Sequence, residues 1–74
     1  MMTKKSALMK LAKSQGFSIY KLLWSNTFTE GGVDCICTNC EHMMVAEPDV
    51  KNERCPHCGE HTMNSCFTLA YTTK

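Results

Sequence analysis

The first part of the chain alternates between apolar and polar residues at the spacing of an α-helix. Positions i, i+3, i+4 and i+7 of one face are Leu8, Leu11, Ala12 and Gln15. The opposite face is polar and basic: Ser6, Lys10, Lys13 and Ser14. This pattern predicts an amphipathic helix that begins near Thr3 and ends at Gly16, because glycine readily takes the positive φ that closes a helix.

A second helix is predicted directly after Gly16. Ser18 is a good N-cap, and Phe17 can pack on Leu22 across that cap. The apolar stripe of this helix contains Ile19, Leu22 and Leu23, with Tyr20, Lys21 and Trp24 around it. Residues 25–27 (Ser-Asn-Thr) favour turns and should end it. We expect the two helices to form a hairpin that covers the remainder of the chain.

The pattern changes to short β-strands after residues 29–32, Thr-Glu-Gly-Gly, which we expect to act as a hinge. Residues 33–36 read as one strand and residues 42–46 as its hairpin partner, ended by Pro48. Residues 62–63 can add a third strand. For residues 64–71 we favour a strand on β-propensity, with Met63, Phe67, Leu69 and Tyr71 on one face. The alternative is a last helix, capped by Ser65, that buries Cys66, Leu69 and Ala70.

Two Cys-x2-Cys pairs lie at the centre of this strand region. Cys37 and Cys40 form the first pair, Cys55 and Cys58 the second, and fourteen residues separate them. Each pair can direct two sulfurs to one ion if the backbone between them makes a tight turn, and two such turns complete a tetrahedral shell. We therefore predict one structural Zn²⁺ per chain, held by Cys37, Cys40, Cys55 and Cys58.

The two turns differ in how well their sequences suit this role. In the second turn, Pro56 presets φ and Gly59 permits a positive φ after the last cysteine. In the first turn Glu41 stands at the position equivalent to Gly59. Asn39 can take a left-handed conformation there, because asparagine tolerates it, but the sequence alone does not establish that it does.

Three other interpretations of the cysteines were considered. A disulfide framework is disfavoured because no signal peptide is visible and such closely spaced pairs are unusual in disulfide-linked domains. A thioredoxin-like redox motif would need a buried strand before the Cys55-Pro56-His57-Cys58 segment and a helix after it, and both flanks are polar. Iron remains open, because ligand type alone does not separate iron from zinc.

These motifs resemble the zinc-ribbon superfamily, whose knuckles are rubredoxin-like, and in particular small zinc-ribbon proteins of bacteriophages and bacteria. The resemblance covers most of the chain and implies a fold but no activity. The expected fold class is a small, metal-stabilised α+β domain. It comprises a basic helical hairpin (residues 1–29) followed by a three-stranded antiparallel zinc ribbon (residues 30–74).

Length and charge add to this picture. A chain of 74 residues has a marginal core, so a metal whose binding contributes to folding is expected. No segment approaches a membrane-spanning length, and we expect a soluble, cytoplasmic protein. Residues 1–29 contain five lysines and no acid (+5), whereas residues 30–74 contain three basic and seven acidic residues (−4). Such asymmetry suggests separate tasks for the two parts, or attraction between them or between copies.

The remaining cysteines and histidines are not expected to bind the metal. Cys66 should be a small buried residue, and we favour the same role for Cys35, although it points the same way as Cys37 on a strand and could compete as a ligand. His42, His57 and His61 should be exposed or lie beside the ligands, and His61 is the best substitute if a cysteine fails. Four thiolates leave no open coordination position, and no catalytic triad, paired-carboxylate or phosphate-loop pattern is present. We therefore expect no enzymatic activity.

Two function classes stay open. The first is a protein-interaction module, an adaptor or inhibitor that docks through the helices or the acidic ribbon. The second is a nucleic-acid-binding module that uses Lys10, Lys13, Tyr20 and Lys21. Ala12, Gly16, Phe17, Ser18 and Leu22 resemble the central pattern of helix-turn-helix proteins, which implies that Ser18, Ile19, Tyr20 and Lys21 face the nucleic acid. The single arginine weakens that reading, and we favour the protein-interaction class.

Overall fold

A computed structural model describes residues 2–28 and 31–72 of the chain. Within these residues the chain forms three helices and one four-stranded sheet. In chain order these are α1 (Lys4–Ser14), α2 (Ile19–Thr27), β1 (Val33–Cys37), β2 (Met43–Ala46), β3 (Glu53–Arg54), β4 (His61–Ser65) and α3 (Cys66–Thr72). Of the predicted hinge, residues 29 and 30 lie outside the described part of the chain.

The ends of α1 follow the predicted chemistry. The Thr3 side chain accepts a hydrogen bond from the Ser6 N–H and caps the start of the helix. At the other end Gly16 has a φ of 72°, and the Phe17 N–H donates to the Ala12 carbonyl at 2.9 Å. This left-handed turn satisfies the last carbonyls of α1 and reverses the chain within two residues. The prediction that Gly16 ends the helix is confirmed.

Helix α2 is joined to β1 by a small polar network. Ser18 caps α2 by accepting a hydrogen bond from the Lys21 N–H, as predicted. Near its other end, the buried Asn26 side chain accepts a hydrogen bond from the Asp34 N–H at 2.9 Å and donates to the Asp34 carboxylate at 3.1 Å. Gln15, placed in the apolar face by its spacing, is exposed and donates to the same carboxylate at 2.6 Å. Asp34 therefore ties both helices to the sheet.

The sheet has the order β2-β1-β4-β3, and each neighbouring pair is antiparallel. Strand β1 is central, with Cys35 opposite Met44 on one side and Ser65 on the other. The predicted three-stranded ribbon is therefore wrong by one strand. The additional strand, β3, consists of Glu53 and Arg54, which are both exposed. A strand of two polar residues has no alternation of apolar and polar positions that the sequence could show. It is recognised only by its pairing with β4.

The strand predicted for residues 64–71 is also wrong after Ser65, where α3 begins. The Ser65 hydroxyl oxygen accepts a hydrogen bond from the Thr68 N–H at 3.1 Å and donates to the Pro48 carbonyl at 2.8 Å. Cys66 and Leu69 are buried, as the alternative helical reading required, whereas Ala70 is only half-buried. The capping bond and the burial of one helical face outweigh the β-propensity of the segment.

The three helices contribute one layer of the core. Helix α1 packs against α3, β1 and α2, while α3 also contacts β1 and β4. The largest fully buried side chains are Leu11, Leu22, Ile36, Met63 and Leu69. Of the two helices expected to cover the ribbon, α1 packs directly on it, whereas α2 packs mainly on α1 and bonds to β1 through Asn26; α3 is the last helix of the alternative reading. No helix in the described ranges has both the length and the apolar character needed to cross a membrane.

Candidate metal centre

The four cysteines of the two Cys-x2-Cys pairs converge at one end of the sheet. The Sγ atoms of Cys37, Cys40, Cys55 and Cys58 all lie within 4.8 Å of one another. The Cys37–Cys58 and Cys40–Cys55 sulfur pairs, each of which joins the two turns, are separated by 3.6 Å. A tetrahedral Zn–S shell with bonds of about 2.3 Å has sulfurs roughly 3.8 Å apart. All six cysteines are free thiols, and the cluster geometry fits a bound metal.

Both turns use the same backbone scheme. The residue after each pair donates its N–H to the carbonyl of the first cysteine, at 3.0 Å from Glu41 to Cys37 and 2.8 Å from Gly59 to Cys55. The N–H of each first cysteine also donates at 2.8 Å to a carbonyl five residues later, that of His42 or Glu60. We call these turns the first knuckle (residues 37–42) and the second knuckle (residues 55–60).

The left-handed residue of the first knuckle is Glu41, not Asn39. Glu41 has a φ of 67° and Gly59 has a φ of 80°. Asn39 does not take this conformation because the shared hydrogen-bond scheme requires the positive φ at the residue after the second cysteine, whatever its type. Asn39 instead directs its side-chain amide towards the Cys58 sulfur at 3.5 Å.

Several hydrogen-bond donors point at the sulfurs. The Cys37 sulfur lies 2.9 Å from the Thr62 hydroxyl oxygen and also accepts from the N–H groups of Asn39 (3.3 Å) and Cys40 (3.4 Å). The Cys55 sulfur accepts from the His57 N–H at 3.4 Å. Thr62 and the side chain of Asn39 are site residues that the sequence analysis missed. Thr62 lies on β4, and only the pairing of β1 with β4 brings it to Cys37.

Burial and hydrogen bonding shift the pKa values of these thiols in different directions. Burial raises the pKa of Cys37, but the hydrogen bonds from Thr62, Cys40 and Asn39 outweigh it and lower that pKa to about 6. The Asn39 amide is the main cause of the lowered pKa of Cys58. Burial, together with hydrogen bonds to the sulfurs of the other three cysteines, raises the pKa of Cys40 to about 12. Ionisation of one sulfur disfavours ionisation of a neighbouring sulfur, and a bound cation would favour the thiolate forms.

Cys35 and Cys66 lie outside this cluster and are buried, as predicted. Burial is the main cause that raises the pKa of Cys35 to about 11 and that of Cys66 to about 12, so both are neutral core thiols near pH 7. His42 and His57 stack with ring centroids 5.3 Å apart, one from each knuckle, and His61 is exposed. Among residues 2–28 and 31–72, no histidine joins the four sulfurs as a potential metal ligand.

The first knuckle is attached at two points to the N-terminal segment that contains α1. Lys10 forms an ion pair with Glu41 at the surface. The Met2 N–H donates to the Thr38 carbonyl at 2.9 Å, and the Thr38 N–H donates to Thr62 at 3.0 Å. Lys10, considered above for nucleic-acid contact, therefore already binds a carboxylate of the knuckle.

The remaining residues considered for partner binding lie on the outer surface of α1 and α2. Lys10, Lys13, Tyr20 and Lys21 are all exposed. Ile19 is half-buried, and the Ser18 hydroxyl oxygen serves as the helix cap, so these two residues are poorly placed to read a base. Tyr20 and Trp24 on α2 are 88 and 64 % exposed, and Phe28, the residue that ends α2, is 68 % exposed. The rings of Trp24 and Phe28 meet edge to face, with centroids 5.1 Å apart.

Comparisons of this chain with protein-family models, with curated proteins and with solved structures find no match.

Proposed function

We propose that this chain is a non-catalytic zinc-ribbon module that binds a protein partner as an adaptor or inhibitor. One Zn²⁺ per chain, bound by Cys37, Cys40, Cys55 and Cys58, would hold the two knuckles together. The cluster geometry supports this metal, since the spacing of the sulfurs approaches that of a tetrahedral thiolate shell. Such a shell has no position for water or substrate, which supports a structural role for the ion.

The observation that carries the binding role is an exposed row of aromatic side chains on α2 and its C-cap residue. Tyr20, Trp24 and Phe28 follow one another at intervals of four residues, which places them along one side of the helix. They are half of the six aromatic residues in the chain. Tyrosine and tryptophan are enriched among the residues that dominate protein–protein binding energy, because they bury a large area on few rotatable bonds. We call this row the aromatic stripe.

A capture experiment tests this role. The zinc-loaded chain should retain proteins from a cell extract after nuclease treatment, and the Trp24→Ala/Phe28→Ala variant should lose them. Tyr71→Ala is the matched control, because Tyr71 is 80 % exposed on α3 and lies outside the stripe. Capture that survives the double substitution, or that disappears with nuclease, would contradict the proposal.

The second candidate is nucleic-acid binding, and one observation favours it. Helices α1 and α2 meet at Gly16 as in the resembled helix-turn-helix pattern, and residues 2–28 carry five lysines and no acid. A filter-binding titration at two salt concentrations tests it with a Lys10→Gln/Lys13→Gln/Lys21→Gln variant. If these lysines contact phosphates, each substitution lowers the slope of log affinity against log salt by about one unit. Absence of salt-dependent binding by the wild type would exclude this candidate.

A further inference from the structure

A second feature of the helical part is a groove between α1 and the start of α2. It is open to solvent and has a volume of about 680 Å³, within the range of ligand-binding clefts. Its lining is mainly apolar: Met9 and Ala12 from α1, Phe17 from the turn, and Ile19 and Tyr20 from α2. Met9 is 52 % exposed, and methionine is a flexible, polarisable side chain that adapts to varied apolar partners.

The charged residues that line this groove are all positive. Lys10 and Lys13 line it together with the apolar residues. The Lys10 ammonium is partly neutralised by Glu41, so Lys13 supplies most of the uncompensated charge there. Residues 2–28 contain no aspartate or glutamate, so no acidic side chain on either helix offsets these lysines. An occupant that places carboxylates beside Lys13 and an apolar side chain on Met9 would complement both properties of the groove.

We propose that this groove binds an acidic protein segment with bulky apolar anchors, such as an amphipathic helix with leucines on one face and carboxylates beside them. The inference rests on the proposed protein-interaction function and specifies the chemistry of its partner. Nucleic acid matches the lysines but not the apolar lining, since a phosphate backbone offers Met9, Phe17 and Ile19 no apolar surface. Helix-in-groove binding uses apolar anchors at i and i+4, and α1 and α2 form the two walls of such a groove.

Fluorescence anisotropy with synthetic helical peptides tests this proposal. The first peptide carries leucines at i, i+4 and i+7 with glutamates on both sides of them. The second replaces the leucines with alanine, and the third replaces the glutamates with lysine. The zinc-loaded chain should bind the first peptide at least about tenfold more tightly than either of the others. Equal affinity for the first and second peptides would mean that the leucines contribute nothing, and this result would overturn the proposal. Equal affinity for the first and third would mean that the glutamates contribute nothing, and it would also overturn the proposal.

Matched substitutions locate the binding. Met9→Glu should weaken binding of the first peptide about tenfold or more, since it places a carboxylate beside the apolar anchors of the peptide. Val45→Glu is its control, because Val45 is an exposed apolar residue on β2, away from the groove. Lys13→Gln should weaken binding several-fold, whereas Lys51→Gln, an exposed lysine of the ribbon, should not. Amide spectra establish that each variant is folded. A folded Met9→Glu variant that binds as the wild type does would overturn the proposal.

Two further measurements separate other occupants. A duplex oligonucleotide that competes the first peptide away at equal concentration would assign the groove to nucleic acid and overturn the proposal. Sedimentation of the chain alone, if it shows a dimer that Met9→Glu dissociates, would assign the groove to a second copy. Failure of the peptide, combined with nuclease-resistant capture through the aromatic stripe, would reject this inference and leave the proposed function intact.

Discussion

The two knuckles share one backbone scheme but differ in what surrounds them. The second knuckle lies on the surface, and its exposed residues include Pro56, His57 and Gly59. The first knuckle is bonded to the N-terminal segment, through the Met2 N–H before α1 and through Lys10 on α1. Gly59 adopts the left-handed conformation in the second knuckle without a steric penalty. Glu41 adopts it at the equivalent position of the first knuckle, where its Cβ causes a steric penalty.

This difference shows how a local cost can be offset by tertiary structure. A left-handed conformation at a residue with a Cβ costs roughly 1–2 kcal/mol. Glycine at position 41 would avoid that cost but would have no carboxylate for Lys10. Through this ion pair, Glu41 joins the first knuckle to α1, the helix that also forms one wall of the groove. In the second knuckle, Gly59 occupies the equivalent position and has no side chain that could form such a pair.

Metal removal should have the largest effect, because it acts on both knuckles. A chelator should unfold the sheet, since structural zinc contributes about 10 kcal/mol or more to comparable small domains. Loss of amide dispersion for residues 31–72 would measure it, and metal analysis should find one zinc per chain. Cys35→Ser is the control that keeps the metal, because Cys35 lies outside the cluster. A metal-free chain with native spectra would contradict the prediction.

Loss of the Thr62 hydroxyl should weaken the metal site on the side of the first knuckle. Thr62→Val removes the hydroxyl that lies 2.9 Å from the Cys37 sulfur while it preserves side-chain shape. We expect zinc affinity to fall about 10- to 100-fold, as for other groups that hydrogen-bond to a ligand atom. Competition with a chelating indicator measures it, and Thr27→Val on α2 is the matched control. Asn39→Ala should have a smaller effect, since its bond to Cys58 is 3.5 Å long.

Exchanging the left-handed residues should change stability in opposite directions. Gly59→Ala should lower the free energy of unfolding by about 1–2 kcal/mol through its positive φ, because a Cβ there meets no atom within 4 Å. Glu41→Gly should raise it by roughly 1 kcal/mol, reduced by the lost ion pair. Glu41→Ala keeps the conformational cost and loses the pair, so it should be the least stable of the three position-41 forms. Denaturant titration of zinc-loaded proteins decides it; a stabilising Gly59→Ala would be inconsistent with this account.

The Lys10–Glu41 ion pair should have the smallest effect on stability. Both side chains are about half exposed, and such pairs contribute about 0–1 kcal/mol. Lys10→Gln should therefore lower stability by less than about 1 kcal/mol, with the difference shrinking at high salt. A double-mutant cycle with Glu41→Gln isolates the pair. A coupling energy well above that range would mean that the contact is shielded from solvent.

Patterns that act over a few residues were readable from the sequence. The spacing of apolar residues located α1 and α2. Thr3 and Gly16 marked the ends of α1 and Ser18 the start of α2, because capping chemistry is local, whereas residues 25–27, expected to end α2, belong to its last turn. The Cys-x2-Cys spacing likewise brought out the four residues that converge at the end of the sheet. Each of these signals depends on backbone geometry within a single turn.

Contacts between distant segments were decided only by the tertiary structure. Pairing of β4 with β1 brings Thr62 to Cys37, and pairing with β3 turns two exposed polar residues into a strand. The start of α3 depends on Ser65, whose hydroxyl bonds to Thr68 and to the carbonyl of Pro48 in a separate loop. The left-handed conformation of Glu41 is a local exception, because it depends on hydrogen bonds within residues 37–42. Local propensities differ by only a few tenths of a kcal/mol, whereas a hydrogen bond or a buried contact contributes about 1 kcal/mol. At these residues the larger contribution therefore decides the structure.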